Sequence, residues 1–204
     1  MCSCSGNEAK QSRVERLPYY SEATFTPHWY DNEGELPFDF HKVPPFTLVN
    51  QNGDTLTEKH FEDRVYVADF FFTSCPGICP TMTANMGTVQ KAFEDDDEVM
   101  LLSHSVTPIR DSVEVLRDYA NRKGVIDGKW ELVTGERKDI YELGRRAYFA
   151  EEDLGMEKGE NDFLHTENFI LVDKSRHIRG IYNGLNKGDV QQLIADIKTL
   201  QKEG

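Results

Sequence analysis

The sequence predicts an α/β domain, a mixed central sheet flanked by helices, with an N-terminal extension. Three observations predict it. Two runs, "RVYVADFFF" (64–72) and "EVMLLSHSV" (98–106), are apolar on both faces, a pattern that belongs to central strands covered on both sides. Each is followed by a stretch that reads as a helix, the first from apolar residues at helical spacing and the second from its start signal. The chain then closes with "NFILVDKSRHIRGIYNG" (168–184) and an amphipathic segment to about 202, which reads as a strand pair and a last helix.

The elements follow in order. Residues 1–16 are polar and read as a tail, and 17–204 as a single domain whose lead-in, rich in aromatics and proline, runs to about 45. "FTLVNQNGDTL" is strand, turn, strand, with Asn52-Gly53-Asp54 as the turn. Thr57 can cap a short helical turn. The first buried strand is followed by a helix over 80–94, with Met82, Met86, Val89 and Phe93 on one face. After the second buried strand, Asp111 and Glu114 have capping-box spacing for a helix over 112–122. "KWELVTG" reads as a strand and "ERKDIYELGRRAYF" as a helix. Residues 151–165 form an acidic, glycine-containing loop. Asn186, with Asp189 three residues on, opens the last helix. Strand–helix–strand–helix, then a hairpin and a closing helix, is the thioredoxin-like order, peroxiredoxin-like proteins included.

Composition narrows the function. Hydrophobic residues make up 38% of the 204, enough for a core. The net charge is −13, from 23 basic and 36 acidic residues, which argues against a nucleic-acid binder in need of a basic stripe. No run approaches the ~18 apolar residues that span a bilayer. Four cysteines are too few for a disulfide scaffold and point to a site.

Two of them stand in "DFFFTSCPGICPTM" (69–82), at the end of the first buried strand and the start of a helix. A helix N-terminus lowers a thiol's pKa. Pro76 and Pro80 remove N–H groups that a first turn leaves unpaired, and stiffen the loop. Cys75 and Cys79, with three residues between them, can form a disulfide or hold a soft ion, Cu(I), Zn(II) or an Fe–S centre, as thiolates. A structural zinc wants four ligands, so a further donor must come from elsewhere. His165, in "NDFLHTENF", is the best candidate, because its strand is expected beside the first central strand. Two sulfurs and one imidazole suit Cu(I), and an added ligand would accommodate Cu(II). Thioredoxins carry a cis-proline before that strand. The last proline here is Pro108, which counts against a general disulfide oxidoreductase.

"DFFFTSCPGICPTM", with "SVTPIRDSVEVLRDYA", "WELVTG" and "FLHTENFILVDKSRHIRGIYNG", resembles the Sco/SenC copper proteins over about residues 40–202. The resemblance implies a copper metallochaperone that assists assembly of the dinuclear copper site of cytochrome c oxidase, with accompanying thiol–disulfide exchange. It is an accessory protein rather than an enzyme of rapid turnover. The family's copper ligands fall on Cys75, Cys79 and His165, and the exchanging pair on Cys75 and Cys79; the motif itself does not say which sulfur attacks, and Cys75, nearer the loop tip, is the expectation. The implied partners are the oxidase's copper-site subunit and an upstream copper donor or thiol reductant; the protein itself is expected to be a monomer. The family usually has Asp in a "V-D-P" step where this chain has Thr107. The alternative reading is a metal-independent thiol–disulfide oxidoreductase or redox sensor. A peroxidase would need a catalytic threonine and arginine set, of which only Thr73 lies near.

The remaining candidates are weaker. The opening "MCSCSGNEAK" resembles the start of a mature bacterial lipoprotein, with Cys2 or Cys4 lipidated and the domain on the periplasmic, extracytoplasmic face of a membrane. Asp69 is a carboxylate inside a buried strand, able to pass protons to the cysteines or to satisfy a neighbour. Met82 and Met86 read as core packing, the run 94–98 as a solvated turn, and His28, His41, His60, His104 and His177 as surface or packing. The loop 151–164 is expected to order when His165 is ligated.

Overall fold

The computed structural model describes residues 11–151 and 163–203. At its centre, Val65–Phe71 form a strand with all seven residues buried, as do Val99–Ser105. In chain order the strands are β1 (Thr47–Asn50), β2 (Thr55–Thr57), β3 (Val65–Phe71), β4 (Val99–Ser105), β5 (Trp130–Thr134), β6 (Asn168–Val172) and β7 (Ile178–Asn183). They make one sheet in the order β2-β1-β5-β4-β3-β6-β7. β4 lies parallel to both β3 and β5, whereas β6 runs antiparallel to β3 and β7 to β6. The sheet is therefore mixed, with β3 next to the strand that follows His165, and the thioredoxin-like expectation holds.

Alternation along β3 divides the core between two faces. Val65, Val67 and Phe71 face α1 (Cys79–Ala92), α2 (Val113–Lys123) and α4 (Lys187–Glu203). Met82, Met86 and Val89 of α1 are fully buried there, each burial contributing about 1.5–3 kcal/mol. Tyr66, Ala68 and Phe70 face the other layer: α3 (Arg137–Glu142), a π-helical turn at Leu143–Ala147, and the segment around Val43 and Phe46. The lead-in is irregular, touching the sheet through the Tyr20–Ile178 bridge. Arg179 fastens it, donating to the carbonyls of Leu17 and Pro18 and pairing with Asp173 and Glu203.

Two caps differ from expectation. Thr57 precedes the 3-10 turn Glu58–Phe61 but makes no capping bond; the amide of Phe46 instead reaches Glu58 at 3.3 Å. Ser112, not Asp111, caps α2, accepting from the amide of Val115. The Asp111 carboxylate is taken instead by donors just beyond β3 and at the end of β4. At its other end α2 stops at Gly124, whose φ of 70° fits glycine's freedom in the left-handed region. Glu94 to Glu98 form the turn before β4, with Lys174 paired to Glu98. Cys2 and Cys4, and most of the loop 151–164, lie outside the described residues. Among the described residues no helix is long and apolar enough to cross a membrane.

Candidate functional site

β3 ends at Phe71, and the chain turns at once, the amide of Cys75 bonding the Phe72 carbonyl at 3.3 Å. Ile78 is the N-cap of α1, and its carbonyl accepts from the amides of Thr81 and Met82. Cys79 is thus the first helical residue, and Pro80 forfeits no helical bond. Cys79 is buried in the core beside Met82 and Met86, while Cys75 is partly exposed.

The two sulfurs are neighbours with different chemistry. Burial disfavours the Cys75 thiolate. That cost is outweighed by hydrogen bonds to its sulfur from the Cys79 amide, the Cys79 thiol and the amides of Gly77 and Ile78, so its pKa falls below that of an ordinary thiol. These are backbone donors at a helix start converging on one sulfur. Cys79 is pushed up to about 12, mainly by burial, then by its bond to Cys75. Of the two, the more exposed sulfur is the one that ionises first.

Asp69 lies behind the pair on the same face. Burial pushes its carboxyl up to about 7, against a hydrogen bond from Ser103. Its Oδ1 has no hydrogen-bond partner, and its charge adds to the field that raises Cys79. On the opposite face of the sheet, His104 stacks on Phe70 at 4.7 Å, and burial pushes its pKa down to about 4. It is a core residue, as Met82 and Met86 are.

His165 arrives by a separate route. Phe163 packs edge-on against Phe72 at 5.4 Å. Leu164 is buried against Phe70 and Gly144 of the π-helical turn, where a β-carbon would come within 2.5 Å of Leu164 Cδ2. The amide of His165 donates to Glu151, which Arg145 also contacts. The imidazole itself is exposed. The fold therefore joins Cys75 to Cys79 and delivers the His165 segment to Phe72, three residues from Cys75. It does not gather the three residues: among the described residues no set of three His, Cys, Asp or Glu is arranged around a metal position. A cavity of about 880 Å³ lies elsewhere, lined by His41, Phe46, Lys59 and Arg146 among others, and includes none of the three.

One residue was misread from sequence. Asp111, taken there as a helix cap, is 1% exposed and accepts hydrogen bonds from Thr73, Ser105 and Thr107. The only local signal was its proximity to the polar "SVTP" step, which does not distinguish a cap from a tether.

The SCO1/SenC family model matches residues 35–202. The chain belongs to the SCO1/SenC family. The SCO1 protein homolog of Bacillus subtilis is 30% identical over 161 residues, 78% of this chain and 82% of that protein. A SCO1/SenC family lipoprotein from Bacillus anthracis superposes with a TM-score of 0.69 at 30% identity, covering 82% of this chain and 98% of the other. BsSco, a member of the Sco family of cytochrome c oxidase assembly proteins with an identified disulfide switch, gives 0.66 at 29% identity, over 78% and 93%. Copper-bound ScoI of Bradyrhizobium japonicum shares the fold, with a TM-score of 0.61 at 24% identity over 78% and 99%. Within this SCO1/SenC chain the donor types suit a soft ion: two adjacent sulfurs, one already favoured as thiolate, and an exposed imidazole on a segment whose Phe163 packs on Phe72.

Proposed function

We propose that this SCO1/SenC protein is a copper metallochaperone for the dinuclear copper site of cytochrome c oxidase, and that Cys75, Cys79 and His165 hold the cargo. The observation that carries the reading is the placement of the two cysteines: Cys79 opens α1 and Cys75 lies in the turn just before it, where the neighbouring amides favour its thiolate. It lowers the cost of the thiolate that binds Cu(I). Cys79 supplies the second sulfur on losing its proton, and His165 the neutral imidazole, so capture releases protons and weakens in acid. Exposure leaves the imidazole room to turn towards the sulfurs. The domain then acts at the extracytoplasmic, periplasmic face of a bacterial membrane, held by a lipid on Cys2 or Cys4, a reading the Bacillus anthracis lipoprotein supports.

The test is titration of the reduced protein with Cu(I). One ion per chain is expected, with weaker binding in His165→Ala and none in Cys75→Ser or Cys79→Ser. Indifference to all three substitutions would end the copper reading.

The asymmetry of the sulfurs favours a second activity with the same pair. The Cys75 thiolate attacks a target disulfide, forming a mixed disulfide and expelling one target thiolate. Cys79 then loses its proton and attacks the Cys75 sulfur, which expels the second target thiolate. The target gains two electrons and this chain ends as the Cys75–Cys79 disulfide. In this reading Asp69, whose carboxyl burial pushes up to about 7, takes the Cys79 proton.

A further inference from the structure

We propose that Asp111 is a positioning residue for the cysteine pair, setting where the Cys75 sulfur stands relative to α1; the copper part of this rests on the function proposed above. A carboxylate offers about four acceptor positions, and in Asp111 four protein donors approach them. Oδ1 accepts from Thr73 Oγ1 at 2.6 Å. Oδ2 accepts from the Thr73 amide at 3.2 Å, Ser105 Oγ at 2.6 Å and Thr107 Oγ1 at 3.0 Å. None of these donors belongs to α2, whose start Asp111 adjoins.

The bonds tie three pieces of chain together. Thr73, held twice, lies between the end of β3 and Cys75. Ser105 ends β4, where it pairs with Phe71, and the next amide, Val106, bonds the Phe71 carbonyl at 2.9 Å. Thr107 begins the connection to α2. Cys79 is fixed by the helix it starts, so the freedom left in the pair lies in residues 72–78. Asp111 removes part of it at Thr73. Charged acceptors make the stronger hydrogen bonds, and burial strengthens them further.

Thr107 gains a meaning from this. It stands where the family pattern has Asp, and its hydroxyl donates to Asp111. A carboxylate there could only accept. This chain therefore uses the position to complete the tether.

The experiment compares Asp111→Asn, Thr73→Val and Ser112→Ala with the parent, all reduced and full length. Asp111→Asn swaps an acceptor oxygen for a donor, Thr73→Val deletes the 2.6 Å bond, and Ser112→Ala removes the helix cap and the bond to Glu114 but none of the donors to Asp111. Three quantities are read: melting temperature, the rate at which iodoacetamide modifies Cys75 without copper, and Cu(I) affinity by competition with a chelator. Asp111→Asn and Thr73→Val are expected to change the Cys75 rate severalfold and to weaken Cu(I) binding by about 10- to 100-fold, the usual range for groups behind a ligand. Ser112→Ala should lower melting alone. A Cys75 rate equal to the parent's in both variants overturns the proposal, whatever melting does. Should Asp111→Asn fail to fold, Thr73→Val decides by the same criterion. If the parent takes up no Cu(I), the copper function fails, and the Cys75 rate still judges the tether.

Discussion

Replacing Asp69 by asparagine should stabilise the reduced protein increasingly as pH rises. The carboxyl is fully buried, and its pKa rises from 3.8 to about 7 because burial penalises the charge. A raised carboxyl pKa means that the unfolded chain releases its proton first. The stability tied to the neutral form is complete below pH 3.8 and is lost as pH climbs to about 7. Integrating those two values, wild type forfeits about 2 kcal/mol by pH 5 and about 4 kcal/mol by pH 8 on this account. Asparagine keeps the shape and cannot ionise. The difference in unfolding free energy between the variant and wild type should therefore grow by about 2–3 kcal/mol from pH 5 to pH 8, an order-of-magnitude figure. Urea unfolding followed by far-UV circular dichroism at several pH values, with a thiol reductant present, measures it. A difference that stays constant over that range would refute the premise that burial raises the Asp69 carboxyl to about 7. The proton-acceptor role would fall with it. If the premise holds, Asp69→Asn should also slow reduction of a small disulfide by the Cys75–Cys79 pair.

Iodoacetamide at neutral pH should modify Cys75 well before Cys79. The rate should rise with pH through a midpoint below the ordinary thiol value, and mapping the alkylated peptide checks this. Gly144→Ala should place a β-carbon against Leu164 and Phe70, costing about 1–3 kcal/mol as overpacking does. The same change should shift the His165 segment, visible as altered Cu(I) affinity with Cys75 alkylation unchanged. Arg179→Met should strip Asp173 of its buried cation and leave Glu203 to Arg16 at 3.9 Å, costing about 3–5 kcal/mol in denaturant unfolding. Cu(I) affinity should fall steeply as pH drops, because protons compete for both sulfurs and the imidazole; a pH-independent affinity would argue against thiolate ligands.

Much of the architecture was legible because it is written in local periods. The two doubly apolar runs became β3 and β4, and the stripe through Met82, Met86 and Val89 became the buried face of α1. The cysteine pair, too, was readable, since its meaning depends on residues within one turn. Asp111 was not readable. Its spacing to Glu114 suits a cap, but Thr73, 38 residues away, offers it an amide and a hydroxyl. Nor does the run Leu143–Ala147 advertise a π-helical turn, in which Gly144 leaves the space that Leu164 and Phe70 occupy.

What the sequence alone determined is therefore the inventory: the order of strands and helices, two thiols at a helix start, and an imidazole on the approach to a neighbouring strand. Side-chain type and short-range spacing encode these. Only the tertiary structure decided which sulfur is the more acidic one, which carboxyl is pushed towards neutrality by burial, and which aspartate ties the cysteine loop to β4. Those outcomes depend on burial and on hydrogen bonds between segments far apart in the chain, where desolvation and competing donors set the energy of each charge.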